Sequence, residues 1–188
     1  RAEAELVKAN DAVWFDALEL DHDNLRAAFA WALAAKPTIV IRLACALSRF
    51  WALRGHLREG LERMELALVA NADGPAEIRA RVANAAGWNA EAIGSFDRAE
   101  ALYAEALAIW RGLGNIEGCA KALDYLGNLA QMRGEVVRSI ELHEEALAAA
   151  RQTDNGKLLN TVMINLADAV LAKGDLAAAA RLYEESLV

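Results

Sequence analysis

Proline and aromatic residues are scarce in this sequence. It has two prolines among 188 residues, and only 6% of its residues are aromatic, whereas 56% are hydrophobic. This balance disfavours a β-sandwich, whose strands rely on aromatic and β-branched residues. Alanine, which has the best intrinsic helix propensity, supplies much of the hydrophobic fraction. The composition therefore indicates an all-α protein.

The sequence also lacks clusters of positive charge and long apolar runs. Its net charge is -7. A nucleic-acid backbone is held by a clustered basic surface, and a membrane-spanning helix needs about 20 consecutive apolar residues. The two cysteines, Cys45 and Cys119, fall far apart on helical patterns, which is typical of reduced, buried residues. We therefore expect no direct nucleic-acid contact, no membrane span and a cytoplasmic location.

Four glycines recur at a nearly constant interval. Gly55, Gly94, Gly134 and Gly174 are 39, 40 and 40 residues apart, and each lies between two helical patterns. Such a helix–turn–helix unit cannot bury its apolar face alone and must stack on its neighbours. The spacing predicts a right-handed superhelix of antiparallel helix pairs over residues 37–188. The predicted repeats cover about 38–71, 76–115, 116–155 and 157–188, the last one truncated.

Residue size is constant in four columns when the repeats are aligned on these glycines. Three columns hold small residues: Ser48, Gly87, Gly127, Ala167; Gly60, Ala99, Ser139, Ala179; and Ala67, Ala106, Ala146, Ser186. One column holds large residues: Met64, Tyr103, His143 and Tyr183. This pattern resembles the tetratricopeptide repeat (TPR), in which small residues lie where the paired helices cross. A period of 40 instead of 34 residues predicts longer helices than in that repeat.

Two runs near the amino terminus carry a more particular resemblance. They are LDHDNLRAAFAWAL at residues 20–33 and FWALRGHLREG at residues 50–60. They resemble a recurring signature of large bacterial signal-transduction ATPases, which include LuxR-like transcriptional regulators. In that family an NTPase module and a winged helix precede TPR-like repeats that form a carboxy-terminal sensor. The resemblance implies that this chain is such a sensor region, with residues 1–36 forming linker helices.

The residues of this signature have ordinary structural explanations. Asp21 or Asp23 is expected to cap a helix, and Arg26 is expected to face solvent or to bridge to an acidic neighbour. Trp31 and Trp51 are predicted to fill the junction between the linker helices and the first repeat. The alternative is that this junction transmits a conformational signal from the ATPase to the sensor.

A ligand groove is predicted on the first helices of the repeats, which line the concave side of such arrays. The candidate binding residues are Arg42, Arg49, Arg81, Asn84, Trp88, Lys121, Asp124 and Asn128. Arg42, Arg81 and Lys121 occupy one column, so they form a short basic ladder. Basic side chains and amides can hold a peptide carboxylate, and an indole adds apolar contact area. The alternative is a solvated face of paired charges, with Trp88 packed between repeats.

Catalytic, cofactor and metal signatures are missing. The sequence has no GxxxxGK[ST] phosphate loop, so no nucleotide cofactor is expected. His22, His56 and His143 fall in three different contexts, without a second ligand at metal-binding spacing on one face. We therefore expect neither an enzyme nor a metal site in this chain.

Two functions remain open. The favoured one is a protein-interaction or effector-sensing module of a multidomain bacterial regulator, whose groove binds a protein, a peptide or a small-molecule effector. The alternative is a structural oligomerisation scaffold with an empty groove, in which the terminal repeat forms a homodimer.

Overall fold

Ten helices and no strand lie between residues 11 and 187, the part of the chain that the computed structural model describes. The predicted all-α fold is therefore confirmed. The first ten residues of the predicted amino-terminal linker, residues 1–10, lie outside the described residues. Within residues 11–187, no helix combines the length and the apolar character that a membrane crossing requires.

The helices divide into two compact units, and the first unit ends at Ser95. Its helices are α1 (Asp11–Leu20), α2 (His22–Ala35), α3 (Pro37–Leu53), α4 (Leu57–Ala70) and α5 (Ala76–Ala92). Each helix packs against the next one in the chain, and α3 also packs against α5. Helix α2 contacts both α3 and α4, so this linker helix packs against the first long helix pair.

The second unit begins at Phe96 and repeats the same arrangement. Its helices are α6 (Phe96–Gly112), α7 (Ile116–Met132), α8 (Val136–Ala150), α9 (Gly156–Ala172) and α10 (Leu176–Ser186). Here too each helix packs against its successor, and α7 contacts α9.

The recurring glycines end the first helix of each pair. Gly55, Gly94, Gly134 and Gly174 have φ between +77° and +95°, a left-handed conformation that costs glycine little. After Gly94, the backbone N–H of Ser95 donates to the carbonyl of Ala90 at 2.8 Å, five residues back. The same bond follows Gly134 and Gly174, which is the pattern of a Schellman helix end. The glycines that recur about every 40 residues therefore mark the positions at which a helix ends.

The small and large columns occupy the helix crossings. Met64, Tyr103 and His143 are fully buried, as are the three central alanines of the last small column, Ala67, Ala106 and Ala146. Gly60, Ala99, Ser139 and Ala179 are buried as well. Only the columns' outer members, Ser48, Tyr183 and Ser186, are half-buried. Residue size at these positions is thus set by how closely the helices approach.

Gly60 marks the closest approach of α3 to α4. A Cβ atom at residue 60 would lie 2.6 Å from the Cβ of Trp51 and 2.6 Å from Nδ2 of Asn89. Because the Trp51 Cβ is attached to the backbone, the two helices would have to separate. Overpacking costs about 1–3 kcal/mol, and alanine regains about 1 kcal/mol of helix propensity. We expect Gly60→Ala to lower the free energy of unfolding by up to about 2 kcal/mol, measured by urea denaturation and circular dichroism.

Gly112→Ala is the matched control for this substitution. Gly112 is the last residue of α6, and a Cβ atom there meets nothing within 4 Å. Alanine at this position is expected to raise the free energy of unfolding by about 0.5 kcal/mol. Equal changes in the two variants would contradict a tight α3–α4 crossing.

Two predictions about the linker helices are wrong. Trp51 is buried as expected, but Trp31 is 57% exposed because it lies on the face of α2 that points away from α3 and α4. Asp21 precedes α2 without capping it by its side chain. Its Oδ1 instead accepts a hydrogen bond from Nδ2 of Asn24 at 3.1 Å, and Asp23 contacts Arg26. Neither carboxylate therefore caps the first turn of α2.

Candidate interaction surface

A line of polar residues follows one face of α3 and the equivalent face of α5. On each helix these residues are spaced at positions i, i+3 and i+7, so they lie on the same side of the helix. The residues are Arg42, Cys45 and Arg49 on α3, and Arg81, Asn84 and Trp88 on α5. The three arginines are exposed, Trp88 is 40% exposed, and Asn84 and Cys45 are half-buried. We call Arg42, Arg49, Arg81, Asn84 and Trp88 the basic face.

The basic face concentrates positive charge on an acidic chain. Guanidinium groups present five N–H donors in a planar fork that matches a carboxylate, and they keep their charge at any physiological pH. Asn84 lies between Arg81 and Trp88, and its Oδ1 atom is enclosed without a hydrogen-bond donor from the described residues. The indole of Trp88 supplies exposed apolar area beside these groups. The face therefore combines the chemistry needed to bind carboxylates with an aromatic contact.

In the second unit, Lys121 of the basic column forms an ion pair with Glu117. Nζ of Lys121 lies 2.5 Å from Oε1 of Glu117, which also accepts from Nδ2 of Asn155 at 3.1 Å. The hydrogen bond from Lys121, followed by that from Asn155, lowers the pKa of the Glu117 carboxyl. Asn128, one helical turn beyond Asp124, is half-buried. Glu117 therefore compensates part of the positive charge of Lys121.

The structure corrects the role predicted for Asp124. This residue is only 4% exposed, and its carboxylate accepts two contacts from Nδ2 of Asn165 at 2.9 and 3.1 Å. Its Oδ1 atom also lies 3.1 Å from Nδ1 of the fully buried His143. Asp124 thus connects α7 to α8 and α9, and its carboxylate is already engaged. It does not contribute to an open binding surface.

The two runs that resemble the regulator signature meet in the first unit. Arg26 of α2 donates from Nε and Nη2 to the carboxylate of Glu59 on α4, with the shorter contact at 2.6 Å. Nε of Arg63 donates to the same carboxylate at 2.7 Å. Hydrogen bonds from Arg26 and then Arg63 hold the pKa of Glu59 at about 2, against its desolvation. The expected bridge from Arg26 to an acidic neighbour is confirmed.

Histidines from both runs also lie side by side. The ring centroids of His22 and His56 are 4.2 Å apart, and the His22 ring meets Phe50 edge-on at 5.2 Å. Nε2 of His56 lies 3.0 and 3.1 Å from the two carboxylate oxygens of Glu19. The expectation that these two histidines occupy separate contexts is therefore wrong, because α2 folds back onto the turn that follows α3. Their separation by 34 residues gave no local signal of this contact.

Comparison with known proteins identifies the repeat. Residues 118–187 match the family model of the tetratricopeptide repeat. The match covers most of the second unit, including the last two predicted repeats. No curated protein matches the chain.

Solved TPR-like structures superimpose on nearly the whole chain. BtubC (BKLC) from P. vanneervenii has a TM-score of 0.76 at 25% identity, covering 93% of this chain and 76% of that one. A putative kinesin light chain with TPR-like repeats from P. anserina has a TM-score of 0.70 at 19% identity, covering 92% and 90%. MamA has a TM-score of 0.67 at 19% identity, covering 92% of each chain. The predicted TPR-like solenoid fold is confirmed.

This fold bears on function at a general level. TPR-like repeats generally mediate protein–protein interaction or scaffolding and are generally non-catalytic. Their stacked helices present extended surfaces rather than a closed cavity. The surface of this chain, rather than an enclosed pocket, is therefore the place to seek its function.

Proposed function

We propose that this chain is a protein-interaction module that binds a carboxylate-bearing peptide segment on the basic face. The observation that carries this proposal is the stripe of Arg42, Arg49 and Arg81 with Trp88, exposed on an otherwise acidic protein. Arginine and tryptophan are the residue types that most often dominate binding energy at interfaces. Fork-shaped hydrogen bonding favours acidic side chains or a terminal carboxylate as the group that is recognised.

We further propose that the bound segment regulates a larger protein. The resemblance of residues 20–33 and 50–60 to the signature of bacterial signal-transduction ATPases supports a sensor role in a multidomain regulator. TPR-like arrays suit this role because their interfaces are small and small rotations between repeats change their curvature. Lys121 and Asn128 occupy equivalent columns in the second unit, and we assign them a weaker contribution to partner binding.

Replacing Arg42, Arg81 and Trp88 together by alanine is expected to abolish partner capture. Loss of three such side chains should weaken binding at least about 100-fold, since single hot-spot truncations typically cost 2 kcal/mol or more. The measurement is a pull-down of acidic peptides from a defined synthetic library, followed by fluorescence anisotropy with the tightest one. Binding should also weaken as salt is raised, because the basic face is exposed.

The matched control replaces Arg98, Arg181 and Trp31 by alanine. These three side chains are also exposed but lie on α6, α10 and α2, so the control removes the same charge and the same indole elsewhere. If both triple variants bind the peptide equally, the basic face is not the binding surface. If neither variant nor the parent binds and the parent is a dimer by light scattering, the scaffold alternative is correct.

A further inference from the structure

Three potential metal ligands converge where α1, α2 and the turn after α3 meet. They are Glu19 near the end of α1, His22 at the start of α2 and His56 just before α4. One ligand atom from each residue lies within 4.8 Å of the other two. All three belong to the first unit, and none of them is a residue of the basic face. This cluster has no part in the proposed function, and its role is independent of it.

His22 is a buried side chain with an unsatisfied polar atom. The residue is 7% exposed, and its Nε2 atom is enclosed without a hydrogen bond. Nε2 lies 3.4 Å from Oε1 of Glu59. That oxygen already accepts hydrogen bonds from Nε of Arg26 and Nε of Arg63. Leaving a buried nitrogen without a partner costs free energy, so an additional partner at this point would stabilise the fold.

The neighbouring residues supply a complementary set of donors. The second imidazole, His56, lies tilted beside His22 with ring centroids 4.2 Å apart, and its Nε2 lies 3.0 Å from Oε1 of Glu19. Two neutral imidazoles and one carboxylate are ligands that Zn²⁺ and related divalent transition metals prefer. Ca²⁺ and Mg²⁺ are disfavoured because they take oxygen ligands.

The geometry requires only local adjustment to accept an ion. Ligand atoms of a tetrahedral zinc site are roughly 3.3 Å apart at bond lengths near 2.0–2.1 Å. Since the ligand atoms of the cluster all lie within 4.8 Å of one another, their separations must shorten by at most about 1.5 Å. The Glu19 side chain is 44% exposed and that of His56 is 24% exposed, so both can rotate, and the ion has a path from solvent.

We propose that Glu19, His22 and His56 form a binding site for a divalent transition-metal ion of the zinc class. Water occupies the fourth position, since three protein ligands leave a tetrahedral ion open to solvent. The ion ties α1 and α2 to the turn between α3 and α4. This is the junction at which the two signature runs meet, so metal binding stabilises the linker helices on the first repeat.

The test uses the untagged 188-residue chain after chelator treatment and dialysis. Titration with Zn²⁺ against a chromophoric chelator should give one site per chain, and Co²⁺ should give visible absorption typical of four-coordinate nitrogen and oxygen ligands. Glu19→Gln and His56→Gln should each weaken zinc binding by about 10-fold or more, since even outer-shell losses cost 10- to 100-fold. Zinc should raise the melting temperature of the parent and not of His56→Gln.

Glu62→Gln is the matched control, because Glu62 is an exposed carboxylate on α4 outside the cluster. It should bind zinc as tightly as the parent. Equal zinc affinity in the parent, Glu19→Gln and His56→Gln would show adventitious surface binding and overturn the proposal. Absence of zinc and cobalt binding in a folded parent chain would overturn it as well, and peptide capture by the basic face would be unaffected by either result.

Discussion

Replacing Trp51 by alanine is expected to lower the free energy of unfolding by about 3–5 kcal/mol. Trp51 is 1% exposed, and its ring meets Phe29 edge-on with centroids 6.2 Å apart. Gly60 of α4 packs against its Cβ atom. Truncation therefore opens a cavity where α2, α3 and α4 meet, and these helices are held too closely to collapse into it. Urea denaturation followed by far-ultraviolet circular dichroism measures the loss without relying on tryptophan fluorescence.

Trp31→Ala is the control for Trp51→Ala. The same side chain is removed from the neighbouring helix, but Trp31 is 57% exposed. Its removal should change the free energy of unfolding by only about 0.5 kcal/mol, as for most surface substitutions. Similar losses in both variants would contradict the assignment of Trp51 alone to the core of the linker junction.

Replacing Asp124 by alanine should lower the free energy of unfolding by about 3 kcal/mol. The substitution removes the carboxylate that accepts a hydrogen bond from Nδ2 of Asn165 and that lies 3.1 Å from Nδ1 of His143. His143 is fully buried, so water cannot replace that partner without opening the packing between α7 and α8. Thermal and urea denaturation of the variant would measure the loss.

Asp97→Ala tests whether burial, rather than the loss of a negative charge, causes this effect. The Asp97 carboxylate lies 2.7 Å from Nη2 of Arg133 but is fully exposed to solvent. Exposed ion pairs contribute little, so this variant should unfold as the parent does. If Asp124→Ala is as stable as Asp97→Ala, then Asp124 is not structural and returns to the list of surface candidates.

The fold was largely readable from periodicity. Gly55 and its three equivalents predicted helix stops, and the structure places each of them in the left-handed region. The size columns predicted helix crossings, and the structure buries Met64, Tyr103 and His143 there. Such features are local or strictly periodic. The role of a position in one repeat therefore predicts the role of the equivalent position in the others.

Surface assignments were less predictable, because they depend on which helix covers which face. Trp31 and Trp51 look alike in sequence, yet only Trp51 is buried, against Phe29 of α2 and Gly60 of α4. Asp124 shares its column with Cys45 and Asn84, but Asn165 and His143 enclose its carboxylate. No periodic pattern reports these particular neighbours, since they differ from one repeat to the next.

The sequence by itself determined that this protein is an all-α array of helix pairs with a 40-residue period. Each repeat needs a glycine where its first helix ends and residues of limited size where its helices cross. These requirements act within each repeat, so the same residue types recur at fixed positions in the sequence. Tertiary structure alone decided that Asp124 is internal and that Glu19, His22 and His56 meet. Those outcomes depend on contacts between separate helices and turns, where the folding back of α2 and the stacking of α7, α8 and α9 set the distances.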